Sequence, residues 1–204
     1  MHVAIAGNIG VGKTSLTERL AKHYNWEAHF EDVDDNPYLD DFYKEMQRWS
    51  FNLQIYFLKS RFMQIKQIRE QNKNVIQDRT IYEDAHIFAP NLHAMGLMTS
   101  RDYDNYMGLF QLLDELVPPP DLIIYLRASV PTLVEQIQRR GRDYESTIRI
   151  DYLNRLNERY EAWISSYNRG KLLIIDTDHI NFIDNQEHLG EIINRIEAEI
   201  NGLF

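Results

Sequence analysis

The chain has 204 residues, of which 44% are hydrophobic and 26% charged, and a formal net charge of −9. That length suits one domain with a sizeable buried core, and the acidic balance argues against a surface that coats a nucleic-acid polymer. Cysteine is absent, which excludes disulfides, thiolate metal sites and cysteine nucleophiles. No apolar run approaches the roughly 18 residues of a membrane-spanning helix, and the first residues enter a strand pattern rather than a leader. A soluble, cytoplasmic protein is expected, with no membrane partner, in which a local basic cluster holds any anionic ligand.

In chain order, an apolar run at 2–6 leads directly into Gly7-Asn8-Ile9-Gly10-Val11-Gly12-Lys13-Thr14, followed by Ser15. This is a complete G-x4-G-K-[ST] phosphate-binding loop. Leu16, Leu20 and Tyr24 continue at helical spacing, so the loop lies between a strand and a helix. Successive backbone N–H groups there wrap a phosphate at the helix N-terminus, where the dipole favours negative charge. Lys13 is placed to reach the β- and γ-phosphates and Thr14 a magnesium ion. With glycine at roughly 7% of residues, chance yields such a match in about one chain of this length in a hundred. The flanking strand and helix lower that further, so the chain is expected to bind a nucleoside triphosphate.

Further strands are predicted at 27–31, 74–78, 121–126 and 171–176. Helical patterns lie at about 13–24, 38–46, 49–71, 99–116, 130–140, 149–168 and 186–200. Short continuous apolar runs suit strands buried on both faces of a parallel sheet. Their alternation with helices predicts an α/β, three-layer fold, one domain over 1–204 with about five parallel strands. The proline run 118–120 reads as a loop. Ligands of such sheets bind beyond the strand C-termini, and Gly7, Glu31, Asp78-Arg79 and Asp176 stand at four of those ends.

Glu31 opens an acidic segment, 31–35, before Asn36-Pro37 starts the next helix. Most of these carboxylates read as a solvated loop. A hydroxyl acceptor near a γ-phosphate calls for one carboxylate to share its proton, and position singles out Glu31 only weakly. In the apolar helix 49–71, Gln54 and Arg61 are seven residues apart and share a face, drifting by about 20°. Two readings stand, a buried structural network and a slot in which Gln54 meets the edge of a flat polar ligand. Asp78-Arg79 is either a strand-end ion pair or, beside a phosphate loop, a magnesium-associated acid with a charge-neutralising arginine. Arg139-Arg140-Gly141-Arg142 forms a basic cluster with a glycine hinge, the pattern of a lid over a triphosphate. The seven histidines show no metal-ligand spacing.

Together these segments resemble the deoxyribonucleoside kinase family, most closely its bacterial deoxyadenosine/deoxyguanosine kinase branch. The resemblance rests on G-N-I-G-V-G-K-T-S at 7–15, E-D-V-D-D-N-P-Y at 31–38 and F-Y-K-E-M-Q-R-W-S-F-N-L-Q-I-Y at 42–56. It continues through D-R-T-I-Y-E-D at 78–84 and R-G-R at 140–142. It implies a P-loop kinase-type fold with an arginine-bearing lid at about 137–148, and transfer of the ATP γ-phosphoryl group to a deoxyribonucleoside 5′-hydroxyl with Mg²⁺. By match to the family motifs, Glu31 stands near the 5′-hydroxyl, Arg79 is its partner and Asp78 is the magnesium-associated acid. Tyr43 and Glu145 match the positions that hold the sugar 3′-hydroxyl, Gln54, Arg61 and Asp84 those that read the base, and Arg140 and Arg142 those of the lid. The segment 176–180 resembles the loop beside the ATP adenine.

Three departures from the family pattern stand out: Asp32 replaces the usual proline, Thr80 replaces serine after Asp78-Arg79, and Gln136 occupies a position that is arginine in some relatives. None removes a required chemical group. Paired, Arg61 and Asp84 suit a base with an exocyclic amine, and Asn36-Pro37 leaves room for a purine. Deoxyadenosine is therefore favoured, with deoxyguanosine and deoxycytidine behind it. Two rivals are a nucleoside monophosphate kinase of the thymidylate type and a catalytically silent kinase-like subunit. The first needs cations where this chain places the acidic Glu31 segment, and the second commonly lacks a group such as Lys13, Glu31, Asp78 or Arg79, all present here. The apolar helices 49–71 and 99–116, together with the resemblance, imply a homodimer.

Overall fold

A computed structural model of the chain describes residues 1–31, 36–142, 145 and 148–202. Strand β1 (His2–Gly7) leads through the glycine-rich loop into helix α1 (Lys13–Tyr24), and strand β2 (Glu27–His29) follows. Helices α2 (Leu39–Lys44) and α3 (Met46–Gln71) precede strand β3 (Val75–Asp78). Next come α4 (Ile81–Glu83), a π-helical turn at Asp84–Phe88, α5 (Ala89–Ala94) and α6 (Ser100–Asp114). Strand β4 (Leu122–Arg127), α7 (Val130–Arg140), α8 (Ile150–Ser166), strand β5 (Lys171–Asp176) and α9 (Gln186–Asn201) complete the order.

The five strands pair in parallel in the order β2-β3-β1-β4-β5. β1 lies at the centre, with Ile5 opposite Asp78 on one side and Ile124 on the other. The chain leaves this strand toward β2 and β3 first and toward β4 and β5 later. A crevice therefore opens beyond the C-terminus of β1, where the phosphate loop lies.

Alternation along the strands separates two apolar layers. On β4, Leu122, Ile124 and Leu126 face Val3 and Ile5 of β1, Leu16 and Leu20 of α1, and Ile192 and Ile196 of α9. Ile123 and Tyr125 face the opposite layer, with Leu58 of α3, Tyr106 of α6, and Leu156 and Tyr160 of α8. Each fully buried Leu or Ile contributes about 1.5–3 kcal/mol, so both sheet faces must stay covered. The three-layer, five-stranded expectation is borne out.

Several boundaries differ from the sequence expectation. β2 ends at His29, because this edge strand pairs only with β3 over Glu27–His29. Glu31 thus stands two residues past the strand, where the backbone has peeled away. The helix expected at 49–71 begins at Met46, and that expected at 99–116 spans Ser100–Asp114, capped by the Thr99 hydroxyl, which accepts the Asp102 N–H at 3.1 Å. The helical stretch from Ile81 to Ala94 was not expected. A π turn in its middle breaks the 3.6-residue period, and Pro90 sits at the start of α5, so no single amphipathic stripe runs through it. Asp32 and, within the lid expected at about 137–148, positions 143, 144, 146 and 147 lie outside the described residues.

Candidate active site

The phosphate loop owes its shape to glycine and to the helices packed on it. Gly10 has φ 88° and Gly12 φ 97°, a region that side chains rarely adopt. A Cβ on Gly10 would lie 2.7 Å from Ile137 Cγ1 and 2.9 Å from the Leu133 carbonyl oxygen, so α7 rests directly on the loop backbone. Asn8 is buried; its Nδ2 donates to Asn157 Oδ1 at 2.5 Å and to the Leu153 carbonyl at 3.2 Å. Lys13 Nζ donates to the carbonyls of Gly7 at 2.8 Å and Asn8 at 3.0 Å. Burial, reinforced by the Arg79 charge, lowers its pKa to about 7.

Thr14 Oγ1 donates to Asp78 Oδ2 at 2.6 Å, joining the start of α1 to the end of β3. Asp78 Oδ1 is buried without a hydrogen-bond partner. Among the described residues no three His, Asp or Glu side chains gather into a metal cage. One carboxylate with an open oxygen beside one hydroxyl instead suits Mg²⁺, which is held by one or two protein groups and completed by substrate phosphates.

Behind the loop lies a cluster of buried charges. Arg61, 1% exposed, donates from Nη2 to Glu31 Oε1 at 2.6 Å, and its Nε is hydrogen-bonded to Asp84 Oδ2. Arg79 Nη1 stands 3.9 Å from Glu31 Oε1, so the shorter Glu31 contact belongs to Arg61, not to the arginine next to Asp78. Burial alone would raise the Glu31 pKa, but Arg79, Arg61 and Lys13 together outweigh it and hold it at about 2. For Asp84 burial prevails over Arg61 and Arg79, and the carboxyl is pushed up to about 6. Charges taken from water are tolerated only when mutually compensated, and here the partners come from α3, the π turn, and the chain just after β2 and β3. Arg79 itself has φ 69°, a left-handed backbone uncommon for a long side chain. That turn sends its guanidinium over the Phe88 ring at 4.6 Å. Strain of this kind costs about 1–3 kcal/mol and collects at functional sites.

A cavity of about 650 Å³ joins these parts, within the range of about 300–1,000 Å³ typical of ligand pockets. Its lining brings together Lys13 and Thr14, Glu31 and Arg79, and Tyr43, Gln54 and Asp84. Gln54 Oε1 is buried without a partner, and so is Arg61 Nη1. Arg61 itself stands behind the wall, bracing Glu31 and Asp84. Arg140 and Arg142 also line the cavity. Arg140 grips Glu145 with two hydrogen bonds, Nη2 to Oε1 at 2.5 Å and Nε to Oε2 at 3.1 Å, and Arg142 Nη1 stands 3.7 Å from Oε1. Asp176 does not share in the convergence of strand ends: it is exposed, and its Oδ1 accepts the Asp178 N–H at 3.0 Å. Ile183, seven residues further on, lines the cavity, whereas Asp176 does not.

Sequence reasoning passed over Glu83, Asn157 and Tyr160, which brace the loop. The signal available was Thr80-x-x-Glu83, a capping-box spacing. The structure forms that box, with Tyr82 N–H donating to Thr80 Oγ1 at 3.2 Å and Thr80 N–H to Glu83 Oε2 at 2.7 Å.

A central parallel strand feeding a glycine-rich loop and helix, with an Asp-Arg pair at the neighbouring strand end, defines a P-loop kinase fold. The profile of the family described as "Deoxynucleoside kinase" matches residues 3–201, and the chain belongs to that family. It is 38% identical over 201 residues to the deoxyadenosine/deoxycytidine kinase of Bacillus subtilis, covering 97% of this chain and 92% of that one. It is 43% identical over 192 residues to a deoxyadenosine kinase of Dictyostelium discoideum, covering 94% and 77%. Among solved structures, deoxyadenosine kinase from M. mycoides with bound dATP matches with a TM-score of 0.85 and 30% identity, over 97% of this chain and 99% of that one.

Proposed function

We propose that this chain transfers the γ-phosphoryl group of ATP to the 5′-hydroxyl of a deoxyribonucleoside. Deoxyadenosine is the favoured acceptor, followed by deoxyguanosine and deoxycytidine. The observation that carries this reading is the placement of Glu31. Glu31 lines the same cavity as Lys13, Thr14 and Gln54, and its carboxylate is joined through Arg61 to Asp84. A nucleoside monophosphate would need cations around its 5′-phosphate, whereas a hydroxyl needs a group to share its proton.

In this reading the loop backbone and Lys13 hold the ATP phosphates, and Glu31 accepts a hydrogen bond from the 5′-hydroxyl. The bond from that oxygen to the γ-phosphorus forms as the bond to the ADP oxygen breaks, and the hydroxyl proton passes to Glu31. The transition state is loose, so positioning supplies most of the rate. Arg79 neutralises charge on the moving group. Thr14 and Asp78 would hold Mg²⁺, which when bound neutralises charge on the β- and γ-phosphates. Tyr43 and Glu145 face the sugar and Gln54 the base edge, with Arg61 and Asp84 setting the polarity of the base pocket. Arg140 and Arg142 serve as lid arginines over the triphosphate. The open amide oxygen of Gln54 supports a ligand beside it in the cavity, because a buried polar atom without a partner is costly.

We read residues 1–204 as one cytoplasmic catalytic domain that works as a homodimer. No helix among the described residues is long and apolar enough to cross a membrane. Met63 on α3, Leu109 and Leu112 on α6, and Leu116 just beyond it are exposed apolar groups that support pairing through this face. The deciding test is a coupled ADP-release assay with Mg-ATP and a panel of deoxynucleosides, with dAMP as the rival acceptor. Turnover with deoxyadenosine is expected, and turnover with dAMP alone would overturn the reading.

A further inference from the structure

Glu83 is a fully buried carboxylate to which the proposed reaction gives no task. Donors from three segments converge on it. Its Oε1 accepts the Gly7 N–H at 3.2 Å and the Tyr160 hydroxyl at 2.8 Å, and its Oε2 accepts the Thr80 N–H at 2.7 Å. Gly7 opens the phosphate loop, Thr80 follows Arg79, and Tyr160 lies on α8. Arg79 Nε stands 3.8 Å from the same Oε1.

A helix cap uses one of these oxygens, and Oε2 supplies it for α4. The other oxygen reaches the end of the neighbouring strand β1, which capping does not require. Helix α8 reinforces the same link one turn earlier, where Asn157 accepts from Asn8 and donates from Nδ2 to the Ala128 carbonyl at 2.8 Å. The loop that would hold the donor phosphates and the turn that carries Arg79 are therefore tied together through one side chain.

We propose that Glu83 is a positioning residue for phosphoryl transfer, setting the separation of the phosphate loop from Arg79, with Tyr160 bracing it from α8. This role rests on the phosphotransferase reading. An amide cannot replace the carboxylate, because in either orientation its NH₂ faces a backbone N–H, that of Gly7 or that of Thr80. Misplacement by about 1 Å can cost on the order of 10²-fold in rate.

The test is steady-state kinetics with Mg-ATP and deoxyadenosine on wild type, Glu83→Gln and Tyr160→Phe, with active sites counted by calorimetric titration with ADP. Glu83→Gln is expected to lower kcat per titrated site by about 10²-fold. Tyr160→Phe, which removes one hydrogen bond and keeps the shape, is expected to lower it about 2- to 10-fold. The KM for deoxyadenosine stays unchanged in both. A purely structural role would reduce the number of titrated sites and leave kcat per site intact, and that result overturns the proposal. Should Glu83→Gln fail to fold, Tyr160→Phe decides on the same criterion. A wild type inactive on every deoxynucleoside would overturn both readings, whereas an active wild type with unaffected variants overturns the Glu83 role alone.

Discussion

Arg61 Nη2 lies 2.6 Å from Glu31 Oε1, and the Nε of the same guanidinium holds Asp84. One buried arginine thus joins the carboxylate proposed to meet the 5′-hydroxyl with the carboxylate proposed to shape the base pocket. Arg61→Met should cost about 3–5 kcal/mol in a denaturant titration, because it strands the buried Asp84 carboxylate and takes the nearer partner from half-buried Glu31. It should also move the acid limb of kcat/KM. Glu31 at about 2 lies below its unfolded value of about 4.3. Its stabilising contribution is therefore present above about pH 4.3 and lost as pH falls toward 2. Without Arg61, burial has one fewer opponent, the Glu31 pKa rises, and the limb shifts to higher pH.

Lys13 should make ATP binding proton-linked. With its pKa lowered to about 7, the ammonium is only partly populated in the free protein near neutrality. Bound phosphates favour the charged form. Calorimetry at pH 8 in buffers of different ionisation enthalpy should show proton uptake on binding ATP, and affinity should fall as pH rises above 7. Lys13→Met should abolish the uptake.

Glu31→Gln keeps the size of the side chain and removes the proton acceptor. Initial rates with deoxyadenosine should fall by about 10²- to 10⁴-fold, with ATP affinity retained. An unchanged rate would show that Glu31 has no part in the transfer.

Gly10→Ala should weaken both stability and nucleotide binding. At φ 88°, with a new Cβ 2.7 Å from Ile137 Cγ1 and 2.9 Å from the Leu133 carbonyl, either the loop or α7 must shift. A loss of about 1–3 kcal/mol is expected from thermal or denaturant unfolding.

Leu112 and Leu116 are 64% and 62% exposed. The double change Leu112→Glu with Leu116→Glu should yield a monomer in sedimentation at micromolar concentration, where the proposed homodimer predicts a dimer for the unaltered chain. Burying two added carboxylates at an apolar interface is costly, whereas on a free surface the substitutions are nearly neutral.

The parts legible before folding are those whose chemistry is written in consecutive residues. The spacing of Gly7, Gly12, Lys13 and Thr14 specifies a loop of backbone donors, and short apolar runs between helical patterns specify a covered parallel sheet. Asp78-Arg79 is legible as a pair for the same reason. The partnerships between distant side chains come from packing. Glu31 hydrogen-bonds Arg61, 30 positions away, and Gly7 hydrogen-bonds Glu83, 76 positions away. A charged side chain carries no mark of its partner along the chain. The choice falls to whichever groups the packed helices bring within reach, and burial then makes each of those contacts costly to lose.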